Sequence, residues 1–142
     1  MLAPMPLPHE IRLRVRYCES DQMGIVHHAN YLVYMEEGRT ALMRAMGFPY
    51  EGVERRGLAM AVRKVELRYR SAARYGDEVL VRTTVERFRG ASIQYGYEIA
   101  RAEGGELLAS GSTEVACVEL EGLRPAPLPD DIRGALEAYL AG

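Results

Sequence analysis

Between Glu19 and Asn30 the chain reads Glu-Ser-Asp-Gln-Met-Gly-Ile-Val-His-His-Ala-Asn, so one short stretch holds a carboxylate, a turn glycine and two histidines. A carboxylate such as Asp21 can take a proton from water or attack an electrophilic carbon itself. His28 can position that carboxylate, donate to a carbonyl oxygen or protonate a leaving group. If a helix starts near Asn30, the amides from His28 to Tyr31 are unpaired donors at its positive end, suited to polarising a carbonyl. Gly24 supplies a backbone bend, and Ile25-Val26 an apolar step beside the polar groups. Each residue also has a plainer role. Asp is favoured in turns, His28 could be a satisfied structural histidine, and His27 fits an exposed or supporting position. Glu19, Asp21, His27 and His28 are all zinc-competent types, but their spacing matches no standard ligand pattern, and no metal is expected.

Such a loop needs a scaffold, and the flanking periodicities describe one. Ile11, Leu13, Val15 and Tyr17 alternate with Arg12, Arg14 and Arg16, predicting a strand with one wet face. A helix is expected from Asn30 to Met46, with Asn30 as N-cap and Gly47 as its stop. Its apolar face comprises Leu32, Met35, Leu42, Met43 and Met46, widened by Tyr31, Tyr34, Gly38, Ala41 and Ala45. Gly38 inside a helix costs about 1 kcal/mol relative to Ala, which suits a close approach by another element. Residues 48–57 read as a connection.

Four strand-like runs follow. Leu58, Met60 and Val62 alternate in one phase and Val65, Leu67 and Tyr69 in the other, which predicts a bulge near Arg63-Lys64. Val79 to Val85, Ile93 to Ile99 and Leu107 to Cys117 are the others, separated by turns at Tyr75-Gly76-Asp77, Arg87-Phe88-Arg89-Gly90 and Glu103-Gly104-Gly105. After Pro125, Pro127 and Pro129, Asp130-Asp131 opens a short C-terminal helix within residues 129–142. One long helix followed by antiparallel strands is an α+β arrangement and excludes a doubly wound parallel sheet. Residues 1–142 read as a single domain, with residues 1–9 a loose lead.

Composition narrows the function. A chain of 142 residues with 48% apolar and 27% charged content can bury a core, and its net charge of −2 argues against a nucleic-acid binder driven by phosphate contacts, though it leaves room for local basic patches. Lys64 is the single lysine among 18 basic residues. Cys18 and Cys117 lie far apart and read as free thiols of a reducing compartment. No apolar run has the length of a membrane span and the first ten residues lack a secretory pattern, so a cytoplasmic location is expected.

The loop and the element order together resemble the hotdog-fold thioesterases of the 4-hydroxybenzoyl-CoA thioesterase family, in particular the acyl-CoA thioesterases associated with the bacterial Tol-Pal cluster. Arg14-Val15, Asp21, Gly24-Ile25-Val26, His28 and Tyr31 fall at that family's motif positions, with Ser20 where Thr or Cys is usual. The resemblance implies a curved antiparallel five-stranded sheet wrapped around one long central helix, in homodimers or homotetramers with the site near the subunit interface. It also implies hydrolysis of a small or aromatic acyl-CoA, no cofactor, and catalytic roles for Asp21 and His28. The candidate substrate-contacting set is Gly24, Ile25, Val26, Ala29, Asn30, Tyr31 and Glu36. Glu36 could bond Tyr31 or the substrate carbonyl, or pair with Arg39. Arginines 68, 70, 74, 82, 87 and 89 are candidates for the CoA phosphates. Two other functions share the fold: a hydratase or dehydratase, which the Asp-Gly-Ile-Val-His loop disfavours, and a non-catalytic acyl-CoA-binding module.

Overall fold

The computed structural model describes residues 8–142. The expected loose lead at residues 1–9 therefore lies mostly outside the described residues, and its last residue already belongs to a strand. Five strands, β1 (His9–Arg14), β2 (Leu58–Tyr69), β3 (Glu78–Arg89), β4 (Ser92–Arg101) and β5 (Leu107–Glu119), form one sheet in the order β1-β3-β4-β5-β2. Every neighbouring pair is antiparallel. Three helices complete the fold: α1 (Asn30–Ala45), α2 (Tyr50–Arg55) and α3 (Asp130–Leu140). Among the described residues, no helix is long and apolar enough to cross a membrane.

The phase change in β2 is resolved by a bulge. Val62 pairs with Val115 and Lys64 with Glu114, so Arg63 is the extra residue. Val65 then pairs with Thr113, which returns Val65, Leu67 and Tyr69 to the face already used by Met60 and Val62. A second register shift, between Val85 and Arg87 of β3, bends the middle of the sheet. Both irregularities help the sheet to curve around α1.

Helix α1 buries Tyr31, Tyr34, Met35, Gly38, Arg39, Leu42 and Met43, a helical stripe that packs on β1 and β3. Leu32 and Ala45 are exposed, contrary to the wider apolar face expected, because the sheet covers one side of the helix only. Gly38 is the point of closest approach. A Cβ there would collide with Thr83 Oγ1 and come within 2.9 Å of Val81 Cγ1.

Several expected boundaries shift. Tyr17 leaves the first strand for a single 3₁₀ turn (Tyr17–Glu19) and is exposed, because the Arg16–Glu19 contacts described below close that turn. The N-cap of α1 is Ala29, without a side-chain bond, and Asn30 is the first helical residue. The 48–57 connection contains α2, which begins after Pro49 and buries Val53. Strand β3 runs through Arg89, so its turn to β4 is shorter than expected. At the C-terminus, Ile132 and Leu136 of α3 are buried, and two hydrogen bonds of 3.0 and 3.1 Å from Arg56 to Asp131 tie α3 to the end of α2.

The Gly38 contact yields a stability test. Gly38→Ala gains about 1 kcal/mol of helix propensity but overpacks a rigid sheet at a typical cost of about 1–3 kcal/mol. A lower melting temperature is expected, partly restored when Thr83→Ala removes the atom in the way.

Candidate active site

The loop between β1 and α1 is held by one buried side chain. Glu19 is 4% exposed. Its Oε1 accepts from the Arg16 amide at 2.7 Å and from the Tyr34 hydroxyl at 3.0 Å, while Oε2 takes the Arg16 guanidinium at 3.1 Å. The Glu19 carbonyl accepts from the His27 amide at 2.8 Å and from Asn30 Nδ2 at 3.0 Å. One residue thus joins both ends of the loop to the first turns of α1. Burial, with the bond to Glu19, pushes the Tyr34 phenol well above the ordinary tyrosine range, so it remains a donor. In sequence Glu19 stands out only as a zinc-competent type. The basic and acidic pair at positions 16 and 19, ahead of a helix, was the available signal for its capping role.

A second support comes from the segment before β3. Val26 N–H donates to Ala73 C=O at 2.8 Å, and Ala73 N–H donates to the Tyr31 hydroxyl at 3.1 Å. Arg101 fastens that segment in turn. Its guanidinium meets the Asp77 carboxylate and donates to Ala72 C=O at 3.0 Å. Tyr69, at the end of β2, donates to the His28 carbonyl at 2.9 Å and sets its ring against Tyr31.

Within this frame Asp21 is half-buried. Its Oδ1 accepts from the Met23 amide at 2.8 Å, and its own amide and carbonyl bond Ile25 and Gly24. Gly24 has a φ of +78°, so the bend falls where only glycine is unstrained. Asp21 Oδ2 makes no hydrogen bond with the described residues and is the open carboxylate oxygen. The amides of Ala29, Asn30 and Tyr31 already have local acceptors, respectively His27 Nδ1 and the carbonyls of His27 and His28. Of the four amides from His28 to Tyr31, that of His28 alone has no acceptor among the described residues. The His28 ring is exposed, 4.2 Å from that of His27 and 6.3 Å from that of Tyr69.

The other candidates divide by burial. Gly24 and Ala29 are exposed and Ile25 is half-buried, whereas Val26 and Tyr31 pack in the core and the Asn30 side chain is committed to Glu19. Glu36 is exposed and makes no hydrogen bond to the Tyr31 hydroxyl, which accepts from the Ala73 amide. No Glu36–Arg39 ion pair forms. Among the described residues, no group of His, Cys, Asp and Glu side chains is arranged to hold a metal.

A carboxylate with one fixed and one open oxygen, in the same loop as an unused amide at a helix start, offers the two kinds of group that attack on a polarised carbonyl needs. Residues 15–136 match the thioesterase-like superfamily, and the chain belongs to it. Its reaction class is thioester hydrolysis. The Bacillus subtilis (strain 168) protein YneP is 42% identical over 113 residues, 80% of this chain and 81% of the relative. The acyl-CoA thioesterase YbgC of Haemophilus influenzae (strain Rd) is 32% identical over 87% of this chain and 90% of its own length. In structure, the chain is similar to the DHNA-CoA thioesterase of Staphylococcus aureus, with a TM-score of 0.90 and 31% identity over 94% of this chain and 91% of that one.

The Tyr31–Ala73 contact makes a checkable claim. Tyr31→Phe leaves the Ala73 amide without its acceptor, at a cost of about 1–3 kcal/mol. Thermal unfolding of the variant is expected to begin at a lower temperature, with the native far-ultraviolet dichroism preserved.

Proposed function

We propose that this protein hydrolyses acyl-CoA thioesters to the free acid and CoA, with Asp21 as base or nucleophile. The observation that carries the reading is the Asp21 carboxylate, whose Oδ1 is pinned by the Met23 amide while Oδ2 stays open in the loop that leads into α1. Asp21 acts either by taking a proton from a water that attacks the thioester carbon, or by attacking that carbon itself before water cleaves the resulting anhydride. The His28 amide is the donor for the oxygen that becomes negative, and the positive end of α1 reinforces it. The exposed His28 ring is the candidate to orient the substrate carbonyl or Asp21. Departure of the CoA thiolate needs little help, since a thiolate is a good leaving group.

Gly24, Ile25 and Ala29 are the loop residues accessible to substrate, while Val26, Asn30 and Tyr31 contribute by fixing the loop. Assembly as a homodimer or homotetramer accords with the exposed apolar side chains Val62, Val65 and Tyr69 on the sheet-edge strand β2 and Leu32 and Val33 on α1. The exposed Cys18 and buried Cys117 are free thiols, as suits a reducing cytoplasm.

Asp21→Asn keeps an oxygen for the Met23 amide and removes only the base or nucleophile. Thiol release from an acyl-CoA panel is expected to fall by about 10²-fold or more in kcat/KM, at near-native melting temperature. Cys18→Ser in both proteins keeps the exposed thiol out of the readout. Unchanged turnover would move the chemistry away from Asp21, and binding of acyl-CoA without CoA release by the Cys18→Ser protein would identify a binding module.

A further inference from the structure

The donor assigned to the thioester oxygen is a backbone amide, so its aim is set by what holds the peptides on either side of His28. The peptide that carries this amide begins at the His27 carbonyl, which accepts from the Asn30 amide at 2.9 Å. The next peptide carries the His28 carbonyl. It accepts from the Tyr31 amide at 3.3 Å and from the Tyr69 hydroxyl at 2.9 Å. Asn30 and Tyr31 belong to the first turn of α1, and helix ends fray. Tyr69 belongs to the sheet.

The end of β2 keeps that hydroxyl in place. Tyr69 pairs with Ala109 at the last position of the β2–β5 ladder, and the Arg70 and Ser71 amides that follow both donate to the Leu108 carbonyl, at 2.9 and 3.1 Å. The Tyr69 ring stands edge-on to Tyr31, with centroids 5.4 Å apart, and to His28, at 6.3 Å. Tyr31 is buried and its hydroxyl accepts from the Ala73 amide, so the ring leans on a fixed neighbour. Burial, with Tyr31 close by, pushes the Tyr69 phenol above the ordinary tyrosine range, so it remains a donor at neutral pH. Tyr69 is among the exposed β2 residues assigned above to the subunit interface, but this bond lies within one chain and needs no access to solvent.

We propose that Tyr69 is a positioning residue of the hydrolysis: its hydroxyl, brought by the end of β2, holds the His28 backbone so that the His28 amide stays aimed at the thioester oxygen. This rests on the thioesterase reading above and adds to it a residue that touches no reacting atom. Without the hydroxyl, the His28 carbonyl keeps only the longer bond from Tyr31 among the described residues, and the peptide at the start of α1 is free to turn towards water. Displacing a catalytic group by about 1 Å can cost up to about 10²-fold in rate, so a small rotation here is felt in the chemical step.

Tyr69→Phe removes the hydroxyl and keeps the ring against Tyr31. On an acyl-CoA that wild type hydrolyses, kcat is expected to fall about 10-fold while KM stays within about 2-fold, because the donor counts most when charge develops on the oxygen. Melting temperature and size-exclusion profile are expected to stay near wild type. Tyr75→Phe, which removes an exposed phenol outside the loop, is expected to keep wild-type kcat. A second measurement leaves the fold untouched: 3,5-difluorotyrosine in place of Tyr69 keeps the hydroxyl at low pH and ionises well below the ordinary tyrosine range. An ionised oxygen cannot donate, so kcat of that protein is expected to fall as pH rises through the ionisation, where wild type shows no such fall. If Tyr69→Phe does not fold, this pH profile decides the matter. Wild-type kcat in Tyr69→Phe, a fall that only follows lost melting temperature or lost assembly, an equal fall in Tyr75→Phe, or a wild-type pH profile in the fluorinated protein would each overturn the proposal. Any of these defeats this proposal alone, whereas no hydrolysis of any thioester by wild type defeats the thioesterase reading with it.

Discussion

The arrangement of the site depends on a buried carboxylate that does no chemistry. The Glu19 carboxylate gathers the Arg16 amide and guanidinium and the Tyr34 hydroxyl, while its backbone carbonyl takes the His27 amide and the Asn30 side chain. A buried carboxylate is tolerable only when its lone pairs are satisfied in this way. The consequence is positional. The segment between Glu19 and His27 is a short span clamped at both ends, so Asp21 and the His28 amide keep a fixed relation to α1. The carboxylate proposed for catalysis can then remain half-exposed, with one oxygen free, because its neighbour carries the structural load.

The sheet contributes through its irregularities as much as through its ladder. A bulge at Arg63 keeps both halves of β2 turned inward, and the close fit of Gly38 over Thr83 seats α1 on the β1–β3 side. With the helix on that side, Val62, Val65 and Tyr69 on the inner face of β2 are left exposed. Tyr69 and the Ala72–Asp77 segment then join the far edge of the sheet to the loop, so strand and loop positions are coupled.

Much of this was legible in sequence. The alternation of apolar residues located all five strands, and the phase change at Arg63-Lys64 announced the bulge, because side-chain period ties phase directly to face. The Asp21–His28 loop was legible because its residue types are individually reactive and collectively spaced. What escaped were features set by distant partners. Tyr17 alternates like a strand residue yet turns outward, since the Arg16–Glu19 pair closes a turn there. Asn30 looked like a helix cap but spends its side chain on the Glu19 carbonyl. Arg39 appeared only as a possible partner of Glu36; its burial against Tyr97 depends on where α1 crosses the sheet, which no local pattern encodes.

The most direct test of this organisation is site-resolved amide hydrogen exchange in wild type and Glu19→Ala. The His27 and Gly24 amides are expected to lose about 10-fold or more in protection, as the loss of a buried hydrogen-bonding hub implies, while Val81 and Ile99 in the central strands lose much less. Thioester hydrolysis should fall in parallel, although Glu19 touches no substrate. Loop amides as protected in the variant as in wild type, with hydrolysis intact, would contradict the claim that Glu19 holds the site in place.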